Sequence, residues 1–95
     1  MDSMDFEWDA AKAETNLVKH GVSFKEAATV FGDPFAMTYT DPDHSDEEDR
    51  YITFGQSGSG RFLMVSHTDR EDRTRIISAR KMSRKERKQY EEGKA

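Results

Sequence analysis

Apolar residues recur along this chain with two periods, and the change between them separates a helical stretch from a sheet-forming one. Ala10, Ala13 and Leu17 share one helical stripe behind Asp9, an N-cap residue, and Gly21 stands where a C′ glycine ends a helix. This pattern predicts a helix over about 10–20. Ser23-Phe24-Lys25-Glu26 reads as a capping box in which Glu26 returns to the Ser23 amide. Phe24, Ala27, Ala28 and Phe31 follow at i, i+3, i+4 and i+7, predicting a second helix over about 24–31 that Gly32-Asp33-Pro34 breaks.

Past Pro34 the period falls from 3.6 to 2. Residues 35–39 alternate, as do 51–54; 61–68 form a longer apolar run, and 73–80 carry a β-branched centre. Gly55 to Gly60 and Asp69 to Asp72 read as turns, so the last three strands form an antiparallel meander. Ser83-Arg84-Lys85-Glu86 is a second capping box, opening a charged helix to about 90–92. The expectation is one α+β domain over 1–95. Two N-terminal helices pack on a four-stranded antiparallel sheet, and a C-terminal helix lies at its edge.

Composition narrows the chemistry. No apolar run approaches the roughly 20 residues that span a membrane, and the opening MDSMDFEWDA lacks the features of a secretory signal. A cytoplasmic protein without membrane contact is expected. With no cysteine, thiol catalysis, disulfides and Cys-based zinc sites are excluded. His20, His44 and His67 fall in three different elements without the spacing of a helical zinc site. Asp41, Asp43, Asp46 and Glu48 lack the sixth-position glycine and twelfth-position glutamate of a calcium loop. The GQSGSG stretch lacks the Lys-Ser/Thr of a phosphate loop. No metal and no cofactor are expected.

Charge is unevenly spread. Residues 1–48 hold 3 Lys and no Arg against 12 Asp and Glu, a balance of −9; residues 49–95 hold 12 Lys and Arg against 7 acids, a balance of +5. A net charge of −4 argues against a general nucleic-acid coat, while a basic half can still grip phosphates locally. The third and fourth predicted strands place His67 near residues 73–76, with Arg70 at the tip and Arg73, Arg75 and Arg80 returning. Arginine forks match phosphate oxygens and an imidazole moves protons near neutral pH, a set suited to metal-free RNA cleavage. The plainer alternative is that these arginines snorkel to solvent or pair with carboxylates. Trp8 either packs over the helix start or stacks on a base. Lys12, Asn16, Lys19 and His20 form a polar stripe, solvated in most helices, with His20 also placed to bond the helix C-terminal carbonyls. Tyr90 either anchors the last helix or donates a proton.

In their order and spacing, these residues resemble BrnT-type toxins. The resemblance is carried by Phe6-Glu7-Trp8-Asp9, Lys12, Asn16 and Lys19-His20-Gly21-Val22-Ser23-Phe24. It continues through Val30-Phe31, Asp33-Pro34, Asp41, His44-Ser45, Glu48, Arg50 and Gly55. Thr68, Arg70, Arg75-Ile76-Ile77-Ser78-Ala79-Arg80, Glu86 and Tyr90 complete it, so that it spans about residues 5–91.

The resemblance implies a RelE-like fold and a ribonuclease toxin of a bacterial type II toxin–antitoxin system that depresses translation. A small BrnA-type antitoxin would neutralise it and carry the complex to DNA, and no cofactor is implied. Arg70 and Arg80, then His67, are the implied catalytic or phosphate-binding residues; Arg73, Arg75, Trp8, Lys12 and Tyr90 are the candidate substrate contacts. The net acidic balance departs from the usual basic character of RNA-acting toxins, so the 41–49 loop is expected to face the antitoxin or to repel RNA. The antitoxin is expected at the sheet edge or beside the last helix, which is too charged to be held by an apolar stripe of its own. The alternatives are a non-catalytic antitoxin-binding module and an inactive paralogue acting in autoregulation.

Overall fold

The computed structural model describes residues 5–44, apart from the His44 side chain, and 49–94. Asp46, Ser45, Glu48 and the centre of the 41–49 loop therefore lie outside the described residues. The element order is β1 (Asp5–Glu7), α1 (Ala10–His20), α2 (Phe24–Thr29), a 3₁₀ turn (Val30–Gly32), β2 (Met37–Thr40), β3 (Arg50–Gln56), β4 (Phe62–Arg70), β5 (Arg73–Lys81) and α3 (Arg84–Lys94). A further 3₁₀ turn, Pro42–His44, follows β2.

The described strands form a five-stranded sheet in the order β1-β5-β4-β3-β2. The expected four strands are antiparallel to one another, but β1 adds a fifth in parallel to β5, pairing Asp5, Phe6 and Glu7 with Arg73, Thr74 and Arg75. Three residues are too few to show a period, so this strand is invisible to pattern alone.

α1 forms where its caps predict: the Asp9 carboxylate accepts from the Lys12 amide at 3.0 Å, and Gly21 closes the helix at φ 69°, the left-handed region that favours glycine. Its rotation differs from the expected stripe. Leu17 is half exposed, while Asn16 is buried. The Asn16 amide donates to the Val22 and Ala79 carbonyls at 3.0 and 2.9 Å and accepts from the Ala79 amide at 3.1 Å. It thereby caps the edge of β5 beyond the end of β1, satisfying backbone groups that no strand reaches.

One sheet face carries the core. Val22, Phe24, Ala27 and Val30 pack on Leu63, Val65, Ile76 and Ala79, all at most 1% exposed. The 3₁₀ turn approaches so closely that a Cβ on Gly55 would lie 2.7 Å from Val30 Cγ1, which only glycine avoids. The opposite face meets α3. Tyr90 is fully buried against the Phe62 ring, its hydroxyl donates to Asp33 at 2.5 Å, and Arg87 lies 4.0 Å over Phe62. The charged helix is thus held across the second face by one aromatic anchor rather than resting at the sheet edge.

The two capping boxes diverge. Ser83 and Glu86 cap reciprocally, at 2.8 and 3.1 Å. Ser23 accepts from the Glu26 amide, but the Glu26 carboxylate turns away from the helix start to Ser57, Ser59 and Arg61. A half-buried guanidinium and two hydroxyls outcompete one exposed amide.

Candidate nucleic-acid interface

Residues paired directly across strands point to the same side of a sheet. On the face opposite the core, the register sets Arg50, Thr68, Arg75 and Glu7 in one row, and Arg70, Arg73 and Asp5 in the next. Ile52, Ser66 and Ser78 form a middle row, and Phe54, Met64 and Arg80 the row nearest α3. Tyr39, half exposed, lies edge-on to Phe54 at 5.9 Å between ring centres and joins the same face from β2. Five arginines and an apolar-aromatic strip therefore share one surface.

A β-bulge produces this grouping. Ser66 pairs with Ser78 but His67 pairs with Ile76, leaving Ile77 as an extra residue on β5. Strict alternation would send Arg75 and Arg80, an odd number of positions apart, to opposite faces. The bulge shifts the parity and brings them to the same one.

The arginines are not gathered at one phosphate. Arg70 and Arg73 face each other at the hairpin tip, in a polar groove of 460 Å³ lined also by Asp5, Glu7, Glu71 and Asp72. Arg80 lies seven residues further along β5 than Arg73, roughly 20 Å at strand rise. Its fork holds Glu86 at 2.8 and 2.9 Å, and this pairing keeps the Glu86 carboxyl well below the usual range, at about 2. Arg75 pairs with Glu7 at 2.7 Å. The expected cluster of forks at one hairpin is corrected to a line of forks along one face.

His67 is not part of that line. Its side chain lies on the core face, 5% exposed, between Phe31 and Tyr51, with Nε2 2.7 Å from the Thr53 hydroxyl. Burial pushes its pKa down to about 4, so the imidazole is neutral and sealed away from the arginines. Its expected pairing near residue 76 is real; the side on which it emerges is not the expected one. Tyr90 likewise has no surface to offer a ligand. Burial, and then Asp33, push its hydroxyl up to about 12, so it anchors and does not donate protons at neutral pH. Trp8 packs edge-on against Phe24 at 6.1 Å while 37% exposed. Lys12 lies on the far side of β5, in a groove beside α1. Among the described residues no three His, Asp or Glu side chains converge as metal ligands would.

A family profile described as "Ribonuclease toxin, BrnT, of type II toxin-antitoxin system" matches residues 8–86. The chain belongs to the BrnT family. The 1.1 Å crystal structure of the Brucella abortus ribonuclease toxin, BrnT, superposes with a TM-score of 0.63 at 22% identity, covering 86% of this chain and 100% of that one. At that identity the likeness bears on the fold. No curated protein matches significantly.

As a BrnT-family ribonuclease toxin, the chain has an antitoxin partner implied by its class. Arg50 and the Tyr39–Ile52 strip were not among the expected site residues. Their signal was available in the alternation of β2 and β3, but only register shows that those positions fall beside Arg75 rather than under the helices. Among the described residues, no helix of this toxin is long and apolar enough to cross a membrane.

Proposed function

We propose that this BrnT-family toxin cleaves single-stranded RNA without a metal ion, along the arginine face. The observation that carries this reading is the bulge-aligned series Arg70, Arg73, Arg75 and Arg80, with Arg50 beside it, next to the half-exposed Tyr39 and the Ile52 strip. Guanidinium forks neutralise phosphate oxygens, and aromatic or apolar side chains take unstacked bases. In the reaction the ribose 2′-oxygen attacks the adjacent phosphorus and loses its proton to solvent. The bond to the 5′-oxygen breaks, and that oxygen takes up a proton. A 2′,3′-cyclic phosphate and a 5′-hydroxyl result. Arginines beside the phosphorus stabilise the charge that builds on its oxygens.

With roughly 20 Å between Arg70 and Arg80, an extended strand meets them at different phosphates. His67 takes no part. In the cytoplasm the activity depresses translation until a small BrnA-type antitoxin covers the face, and the toxin reaches DNA only through that partner.

Purified toxin incubated with RNA in EDTA is expected to give 2′,3′-cyclic or 3′-phosphate ends. The folded double variant Arg70→Ala, Arg80→Ala is expected to lose both cleavage and growth arrest. Products with 3′-hydroxyl ends, or undiminished toxicity of that variant, overturn the reading. One observation favours the alternative of a non-catalytic antitoxin-binding module or inactive paralogue: Arg75 and Arg80 already hold carboxylates, Glu7 and Glu86. Normal growth on expression of the wild-type toxin alone would decide for it.

A further inference from the structure

Besides the arginine face, a second cationic feature runs along the outer edge of β5. Lys12, Lys19 and His20 of α1 line a groove of 320 Å³ whose floor is Ile77 and Ser78, the bulged segment of β5. Thr15 and Asn16 also line it, and no carboxylate does. This contrasts with the hairpin-tip groove, where four acids surround two arginines. In a chain of net charge −4, an acid-free groove with two lysines and a histidine is a marked local excess. Glu14, the only acid on α1, stands about 200° from Lys12 around the helix axis and points away.

Lys19 and His20 alone have an ordinary explanation, since cations in the last turn complement the helix dipole. Lys12 has none. It lies in the first turn, where a cation opposes the dipole and where α1 carries no acid. Seven residues separate Lys12 from Lys19, about 10 Å along the axis, so their charges form a line and not a point. That line adjoins the arginine face at Ser78, which lines the groove and shares the face that carries Arg75 and Arg80.

We propose that this groove is a track for the RNA backbone outside the cleavage site, with Lys12 and Lys19 on flanking phosphates of a strand that passes over the β5 edge at Ser78. The inference rests on the ribonuclease reading of the arginine face and extends the bound strand beyond it. Asn16, fixed to Ala79, sets the distance between α1 and β5 and so the width of the track.

The test uses full-length toxin and 2′-O-methyl oligonucleotides of four and twelve residues, which bind without being cut. In a salt series, the Lys12→Ala, Lys19→Ala double variant is expected to lose about 1.4 from the slope of log affinity against log salt for the longer strand, two contacts at ~0.7 each. Its affinity gain from four to twelve residues is expected to vanish. Lys25→Ala, an exposed charge on α2, serves as the control and keeps the wild-type slope. An unchanged slope and length gain in the double variant overturn the track. So does equal affinity of the wild type for an oligoglutamate of matching charge, which would assign the groove to an acidic protein segment. These outcomes are independent of cleavage: toxin that fails to cut ordinary RNA sinks the ribonuclease reading and leaves the binding result standing.

Discussion

The two faces of the sheet are made from alternate residues of the same strands, yet they solve opposite problems. On β4, Leu63, Val65 and His67 enter the core beneath α1 and α2, while Met64, Ser66 and Arg70 serve the other side. The first face excludes water so fully that even an imidazole is held neutral. The second keeps charged forks at the surface and spends little apolar area, with α3 fastened across one end through Tyr90. On the proposed reading, stability and ligand chemistry are thereby separated by one residue along the strand. Substitutions one position apart are expected to have different consequences.

The largest effect expected from this contrast is catalytic. Arg80→Ala should lower cleavage of a fixed oligoribonucleotide by about 10²–10³, as removal of one charge-stabilising donor does elsewhere, with the fold retained. Initial rates together with circular dichroism check it, and an unchanged rate breaks the division of labour. On the other face, Leu63→Ala should cost about 3 kcal/mol of stability by emptying a fully buried site, seen in denaturant melts, with the folded fraction still cleaving.

Acid sharpens the comparison further. His67 has its folded pKa near 4 against an ordinary 6.5. Between those values the unfolded chain binds a proton that the folded chain refuses. Stability should therefore fall by up to roughly 3 kcal/mol as pH drops from about 6.5 to 4, and change no further on this account below that. The carboxylates work in a lower window. Glu26 and Glu86, held near 2 chiefly by Arg61 and Arg80, contribute stability that is present above 4.5 and lost as pH falls toward 2. Replacing His67 by Gln should remove the upper stage of a pH series and leave the lower one. The smallest effect is expected from Arg61→Ala. Arg61 is gripped by a capping-box glutamate just as Arg80 is, but it stands away from the arginine face. Its loss should cost about 1 kcal/mol in thermal melts, since the pair is partly solvated, and leave cleavage intact.

Much of the molecule was legible in the sequence because its helices are written locally. Asp9, Gly21, Ser23 and the Ser83–Glu86 pair act within three or four residues of where they stand, so caps and helix limits could be read without any partner. The antiparallel meander of β3 to β5 followed from alternation and short turns in the same way. The BrnT resemblance was also carried by order and spacing in the sequence.

What only the tertiary structure decided depends on contacts between distant residues. Asn16 meets Ala79 across 63 positions, which turns a residue of an apparently solvated stripe into a buried edge cap. β1 exists because β5 offers it a free edge. His67 was correctly paired across the sheet, but pairing leaves open which face a side chain takes until it is known where the helices lie. Arg75 and Arg80 come to one face only because Ile77 is accommodated as a bulge, a choice made by the packing of Ile76 and Ala79 into the core. Alternation along a strand specifies that two faces exist; burial of one of them against α1 and α2 determines which residues are left to meet a ligand.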